Sequence, residues 1–235
     1  MKRVRSSTRR SGLSRRSTRT LVYYATRSGG TTLDTGEGGG NPFAGALIEL
    51  ANEPSLQLRH LAGRLRKLTA AKSERHQITE CAGSPRLPAW TFREDMGLRK
   101  EKRSALVLVV SDYSRHRPGA SLMGAARDER RIAAMLAQHG FSVTQGIGPR
   151  RQELIKALVA FRHHCQGSDI GVIYSTGHGV ERDGNVYLLP GDYPMRDGCG
   201  RVQLRRHAVS VTRMIHAASA RGQNLCQQSQ LACLG

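Results

Sequence analysis

Residues 170–192 read IGVIYSTGHGVERDGNVYLLPGD. The apolar run Ile170-Gly171-Val172-Ile173 leads to a histidine between two glycines, Gly177-His178-Gly179, and a second apolar run follows at 186–189. A short apolar run of this kind reads as a strand buried on both faces. The histidine is then expected just past the carboxyl end of a strand, where open α/β sheets hold their ligands. Without side chains on either side of the ring, the chain can turn and another main chain can come close.

Outward from this stretch, strands and helices alternate. The valine-rich run 105–110 reads as a strand buried on both faces. Residues 122–139 read as a helix, with Ala125, Ile132, Met135 and Leu136 on one stripe and Gly140 as the stop. Phe141-Ser142-Val143 is a short strand, and 150–164 is a second helix with Leu154, Leu158 and Phe161 on one face. Ser210 can cap a further helix running to Arg221 and stopping at Gly222. The pattern predicts an α/β fold, a three-layer α/β/α sandwich with a mostly parallel central sheet.

The first half is organised differently. Residues 21–25 read as a strand, followed by the glycine-rich loop 36–40. Helices are expected at 43–52 and 56–72, split at Pro54, and Trp90-Thr91-Phe92 reads as a final short strand. The glycine loop lacks the Gly-Lys-Ser/Thr ending of a P-loop and the spacing of a dinucleotide fingerprint, so it reads as a flexible loop.

The 235 residues carry a formal net charge of +19, and residues 1–20 contain no acid. That stretch reads as a basic disordered tail. It also resembles an organelle transit peptide. Contact with nucleic acid through it would be non-specific, because no aromatic residue is interleaved to stack bases. No apolar run approaches the roughly 20 residues of a membrane span, so no membrane partner is expected. Five cysteines without a CxxC pair argue against a zinc site or a disulfide framework, and point to free thiols in a reducing, cytoplasmic setting. His163-His164-Cys165 is no metal motif, since adjacent side chains diverge and no fourth ligand is visible.

The 105–110 strand, Gly124-Ala125-Ala126-Arg127-Asp128, Gly140-Phe141-Ser142-Val143, Tyr174-Ser175-Thr176-Gly177-His178-Gly179 and Tyr187-Leu188-Leu189-Pro190-Gly191-Asp192 form one set of motifs. Together they resemble the large-subunit region of the caspase-like cysteine peptidases (peptidase C14), more closely the bacterial caspase-like and metacaspase branch. Thr176 stands where the family usually has serine. The resemblance implies a cysteine-type endopeptidase with His178 as acid and base, a thiolate nucleophile, and the Gly179 amide as an oxyanion donor. It implies no organic cofactor, and no calcium-ligand or other metal cluster is visible. The resemblance implies a peptide or protein substrate as partner; self-association is a further expectation.

For the nucleophile, Ala232-Cys233-Leu234-Gly235 fits the Ala-Cys-x-Gly core, with His178 55 residues upstream. Cys226 is the second choice. The polar run 226–230 suits a buried strand poorly, and no acid precedes Ala232. A catalytically inactive caspase-like interaction module is therefore the alternative function. Asp34 and Asp192 are the candidates for holding a basic substrate side chain, which the branch resemblance implies; both also read as ordinary loop acids.

Residues 21–93 resemble the small-subunit region that would normally follow the nucleophile. The chain thus divides into a basic tail (1–20), a small-subunit-like region (21–93), a linker (94–103) and a large-subunit-like region (104–235). Three origins fit this swapped order: a circular permutation in which 21–93 completes the sheet of 104–235, two half-domains of a tandem array, or a fragment or frameshift product. Permutation is geometrically allowed. Four strand spacings are roughly 19 Å, and the ten residues 94–103 reach about 33 Å when extended.

Overall fold

The computed structural model describes residues 20–83, 90–92, 101–115, 121–147, 150–195, 199–218 and 223–232, with backbone alone for 147 and 223–232. In chain order the described strands are β1 (Thr20–Tyr24), β2 (Glu80–Gly83), β3 (Arg103–Val109), β4 (Phe141–Ile147), β5 (Ile170–Arg182), β6 (Asn185–Leu188), β7 (Val209–Ser210) and β8 (Gln223–Ala232). The helices are α1 (Pro42–Ala51), α2 (Leu58–Lys72), α3 (Met123–Gln138), α4 (Arg151–His164), α5 (Arg201–His207) and α6 (Val211–Ala218).

One sheet runs β2-β1-β8-β5-β3-β4. β1, β8, β5, β3 and β4 pair in parallel, and β2 lies antiparallel on the β1 edge. Strands from residues 20–83 and from 103–232 thus share one sheet. Side chains alternate across it. Tyr23, Val107 and Val172 face the core built with α1, α2 and α3, whereas Val22, Leu106 and Ile173 face α4 and α6. Two covered faces explain why the strands read as continuous apolar runs. A smaller cluster around Tyr193 and Leu204 secures α5.

Several sequence expectations are corrected. β4 extends to Ile147, four residues beyond the expected end, because β3 offers it a seven-residue parallel register from Arg103↔Phe141 to Val109↔Ile147. Among the described residues Trp90-Thr91-Phe92 forms a single bridge, Gln57↔Thr91, and the strand on the β1 edge is β2. Arg103, expected as a linker residue, opens β3 and is buried. Its guanidinium pairs with Glu101 at 2.8 Å, donates to the Phe92 and His139 carbonyls, and lies 5.1 Å from the Trp90 ring centroid. The polar run 226–230 lies within β8, between β1 and β5, where a parallel ladder forms on each side. Pairing on both edges overrides the weak strand preference of these residues.

The glycine loop is packed rather than loose. Residues Glu37–Gly39 make one 3-10 turn, and the loop lies on α3 so closely that a Cβ at Gly39 would overlap the Arg127 guanidinium and one at Gly40 the Asp128 carboxylate. Asn41 follows. Its side chain accepts from the Phe43 amide to cap α1, and its own amide donates to Asp128 Oδ2 at 3.0 Å. Asp128 is fully buried, and that burial pushes its carboxyl up to about 7, against the favourable Asn41 amide and Arg131. The folded value lies above the ordinary 3.8, so the fold binds this proton more tightly than the unfolded chain does. Its stabilisation is complete below pH ~4 and lost as pH rises toward ~7, up to about 4 kcal/mol. The melting temperature of wild type minus that of Asp128→Asn is expected to fall between pH 4 and 7 and stay flat above 8. A pH-independent difference would contradict this.

Candidate active site

His178 lies inside a long strand, not past its end as the sequence suggested. β5 continues to Arg182 and turns into β6 through Asp183-Gly184, with φ of 52° and 72° and the closing pair Arg182↔Asn185. Positive φ at both central residues marks a type I′ hairpin, for which Asp-Gly is a strong sequence signal. β5 therefore has two parts. Residues 170–176 pair with β3, and residues 179–182 pair with β6, which takes over the same side. On its other side β5 pairs with β8 from Ile170↔Gln223 to His178↔Ala232, with one irregularity between Ser175 and Gly177.

Gly177 sits at that irregularity with φ of 153°, a conformation that glycine adopts without strain. A Cβ there would come within 2.8 Å of the Tyr113 hydroxyl and 2.9 Å of Leu188 Cδ1. The glycine before His178 therefore makes room for a tyrosine as well as permitting the bend.

His178 is only 6 % exposed. Its amide donates to Tyr113 Oη at 2.8 Å, and that hydroxyl donates to the Leu189 carbonyl at 2.7 Å. The two rings are tilted by 55°, with centroids 4.3 Å apart. Burial pushes the Tyr113 phenol far above its usual range, so it stays protonated. In the β5–β6 ladder the Leu189 amide donates to the His178 carbonyl at 2.8 Å. Alternate residues of a strand direct their amides to opposite sides, so Gly179, opposite Leu188, directs its N–H toward β8.

The other candidates are distributed as follows. Ala232, paired with His178, is the last described residue of β8; Cys233 lies outside the described residues. Cys226 lies opposite Ile173 on one side and Val22 on the other, five residues back along the sheet, or about 17 Å. Asp34 accepts from the amides of Gly124 (2.9 Å) and Ala125 (3.2 Å), capping α3 from 90 residues away. Asp192 accepts from the Arg151 amide at 2.9 Å and caps α4. Carboxylates at helix N-termini satisfy otherwise open amides and oppose the helix dipole, which accounts for both acids without a substrate. Ser210 caps α6 as expected, accepting from the Arg213 amide at 3.3 Å.

Cys165, the residue that ends α4, is buried, where desolvation raises its thiol, and Cys81 lies on the edge strand. Among the described residues no three His, Cys, Asp or Glu side chains converge as metal ligands, and no helix is long and apolar enough to cross a membrane.

Tyr113 was missed in the sequence. Its only signal was an aromatic residue shortly after an apolar strand, and its role depends on how that loop folds back. No curated protein matches the chain. The caspase-domain family model of peptidase C14 matches residues 102–217, just under half of the chain, from the start of β3 to within α6; the match includes His178 and Gly179 and stops before β8. Residues 102–217 are thus similar to a caspase domain, and the observed three-layer α/β/α fold agrees with that similarity.

Proposed function

We propose that the chain is a cysteine endopeptidase in which the Cys233 thiolate attacks a peptide carbonyl and His178 handles the proton. The observation that carries this reading is the register pair His178↔Ala232, because Cys233 is the next residue in sequence after Ala232. The imidazole takes the thiol proton and the thiolate adds to the carbonyl carbon. The oxyanion receives the Gly179 amide, which is directed toward β8. The protonated ring then gives its proton to the leaving amine as the carbon–nitrogen bond breaks, and water releases the acyl group by the reverse sequence.

We read the swapped order of the two halves as a circular permutation; the sharing of one sheet by β1 and β2 with β8, β5, β3 and β4 supports this reading. The preference for Arg or Lys at P1 rests on resemblance to the metacaspase branch; the helix-capping roles of Asp34 and Asp192 add nothing to it. An inactive interaction module is the second reading, favoured by the absence of an acid before Ala232.

The test is labelling by peptidyl acyloxymethyl ketones carrying Arg or Asp at P1. Labelling is expected at Cys233, lost in Cys233→Ala and kept in Cys226→Ala, with the Arg probe the faster. Labelling lost only in Cys226→Ala moves the nucleophile. No labelling of the wild type, with the fold intact, favours the module.

A further inference from the structure

We propose that Tyr113 is the positioning residue of His178: its hydroxyl replaces a rung of the β5–β6 ladder and thereby sets where the imidazole is carried. The inference deepens the peptidase reading, although its geometry stands without it.

From the closing pair Arg182↔Asn185, alternate pairs of this hairpin exchange hydrogen bonds, which makes His178 and Leu189 such a rung. Half of it is ordinary, with the Leu189 amide donating to the His178 carbonyl at 2.8 Å. The other half is not direct. The His178 amide donates to Tyr113 Oη at 2.8 Å, and Tyr113 Oη donates to the Leu189 carbonyl at 2.7 Å. An oxygen atom is wedged into a ladder whose direct bonds span about 2.9 Å. The strands are held apart on that side, at the residue bearing the imidazole.

Three further observations agree. Gly177 leaves room for the hydroxyl, since a Cβ there would crowd it at 2.8 Å. Tyr113 is itself only 1 % exposed, and its high phenol pKa keeps the donor to Leu189 in place. The rings lie 4.3 Å apart, and the electron-rich face of a phenol favours a neighbouring cation, here the imidazolium that forms in each turnover. Tyr113 thus acts through His178.

Tyr113→Phe removes the wedge and lets the ladder close to a direct bond. A displacement near 1 Å at a catalytic group can cost about 10²-fold in rate. In the full chain labelled with ¹⁵N and ¹³C, the His178 amide, the Leu189 amide and the His178 ring resonances are expected to shift, while kcat falls about 10²-fold and KM stays within about two-fold. Tyr113→Leu, which also removes the aromatic face, is expected to lower kcat further. His178 amide and ring resonances that superimpose on wild type in Tyr113→Phe overturn the proposal. Shifted resonances in a protein that neither cleaves peptide nor takes a thiol probe leave the positioning role standing and remove the peptidase reading. Should Tyr113→Phe fail to fold, 3-fluorotyrosine at position 113 keeps ring and hydroxyl but alters the donor; unchanged His178 resonances there overturn the proposal equally.

Discussion

His178→Ala is expected to lower peptide cleavage and labelling of the nucleophilic thiol at least about 10³-fold, roughly 4 kcal/mol in the barrier. The fold should survive. Tyr113 holds the backbone amide of residue 178, not its side chain, and alanine keeps that amide. What disappears is the imidazole and its contact with the Tyr113 ring at 4.3 Å. The replacement leaves a void beside the tyrosine, with an expected cost of about 1–2 kcal/mol in stability. Circular dichroism and the denaturation midpoint should therefore change little while the rate collapses. Equal labelling of wild type and variant would mean that the thiol reacts by its own acidity, and the dyad would be abandoned. Loss of labelling together with loss of fold would contradict the claim that the ring is dispensable for structure.

Gly124→Ala is expected to destabilise the protein by about 3–5 kcal/mol, although alanine normally improves a helix by roughly 0.5–1 kcal/mol. Geometry decides the sign. Gly124 lies in the first turn of α3, and a Cβ there would overlap the main-chain carbonyl of Asp34. Main chain cannot step aside as a flexible side chain can. The segment around Asp34 would be lifted from α3, losing the two amide bonds to its carboxylate and straining the nearby Asn41–Asp128 bond. Gly63 is the control. It lies in α2 on an exposed face, and a Cβ there meets nothing within 4 Å. Gly63→Ala should raise stability by about 0.5–1 kcal/mol. Urea denaturation of the two variants reads both signs. Stabilisation by Gly124→Ala would show that the segment around Asp34 does not rest on α3.

The elements with strong local periodicity were legible. The stripes of α3 and α4 and the valine-rich β3 could be read because burial on a known face imposes its period on the residues. β2 could not. Glu80-Cys81-Ala82-Gly83 has little strand preference, and it is a strand because β1 offers it an edge. The glutamines of β8 suit a buried strand poorly, yet two neighbouring ladders hold it. In the candidate site, the apolar run at 170–173 made the start of the strand that carries His178 and Gly179 legible. The roles of Asp34 and Asp192 were not, since the amides that each one caps belong to helices 90 and 41 residues away. The length of β5 was misjudged although Asp183-Gly184 announced the hairpin, because the glycines around His178 resembled a turn.

The position of β1 bears on how the protein is made. Leu21 pairs with Leu225, a partner some 200 residues later in the chain. At about 5–20 residues per second on the ribosome, β1 waits roughly 10–40 s for the strand that covers its open edge. Throughout that interval Leu21, Val22 and Tyr23 can be covered by β2 on one side alone, which leaves a row of unpaired amides on the other. Such long-range pairing also places the protein among slow folders. The nascent chain is therefore most open to aggregation, and most dependent on chaperones, just before β8 is synthesised.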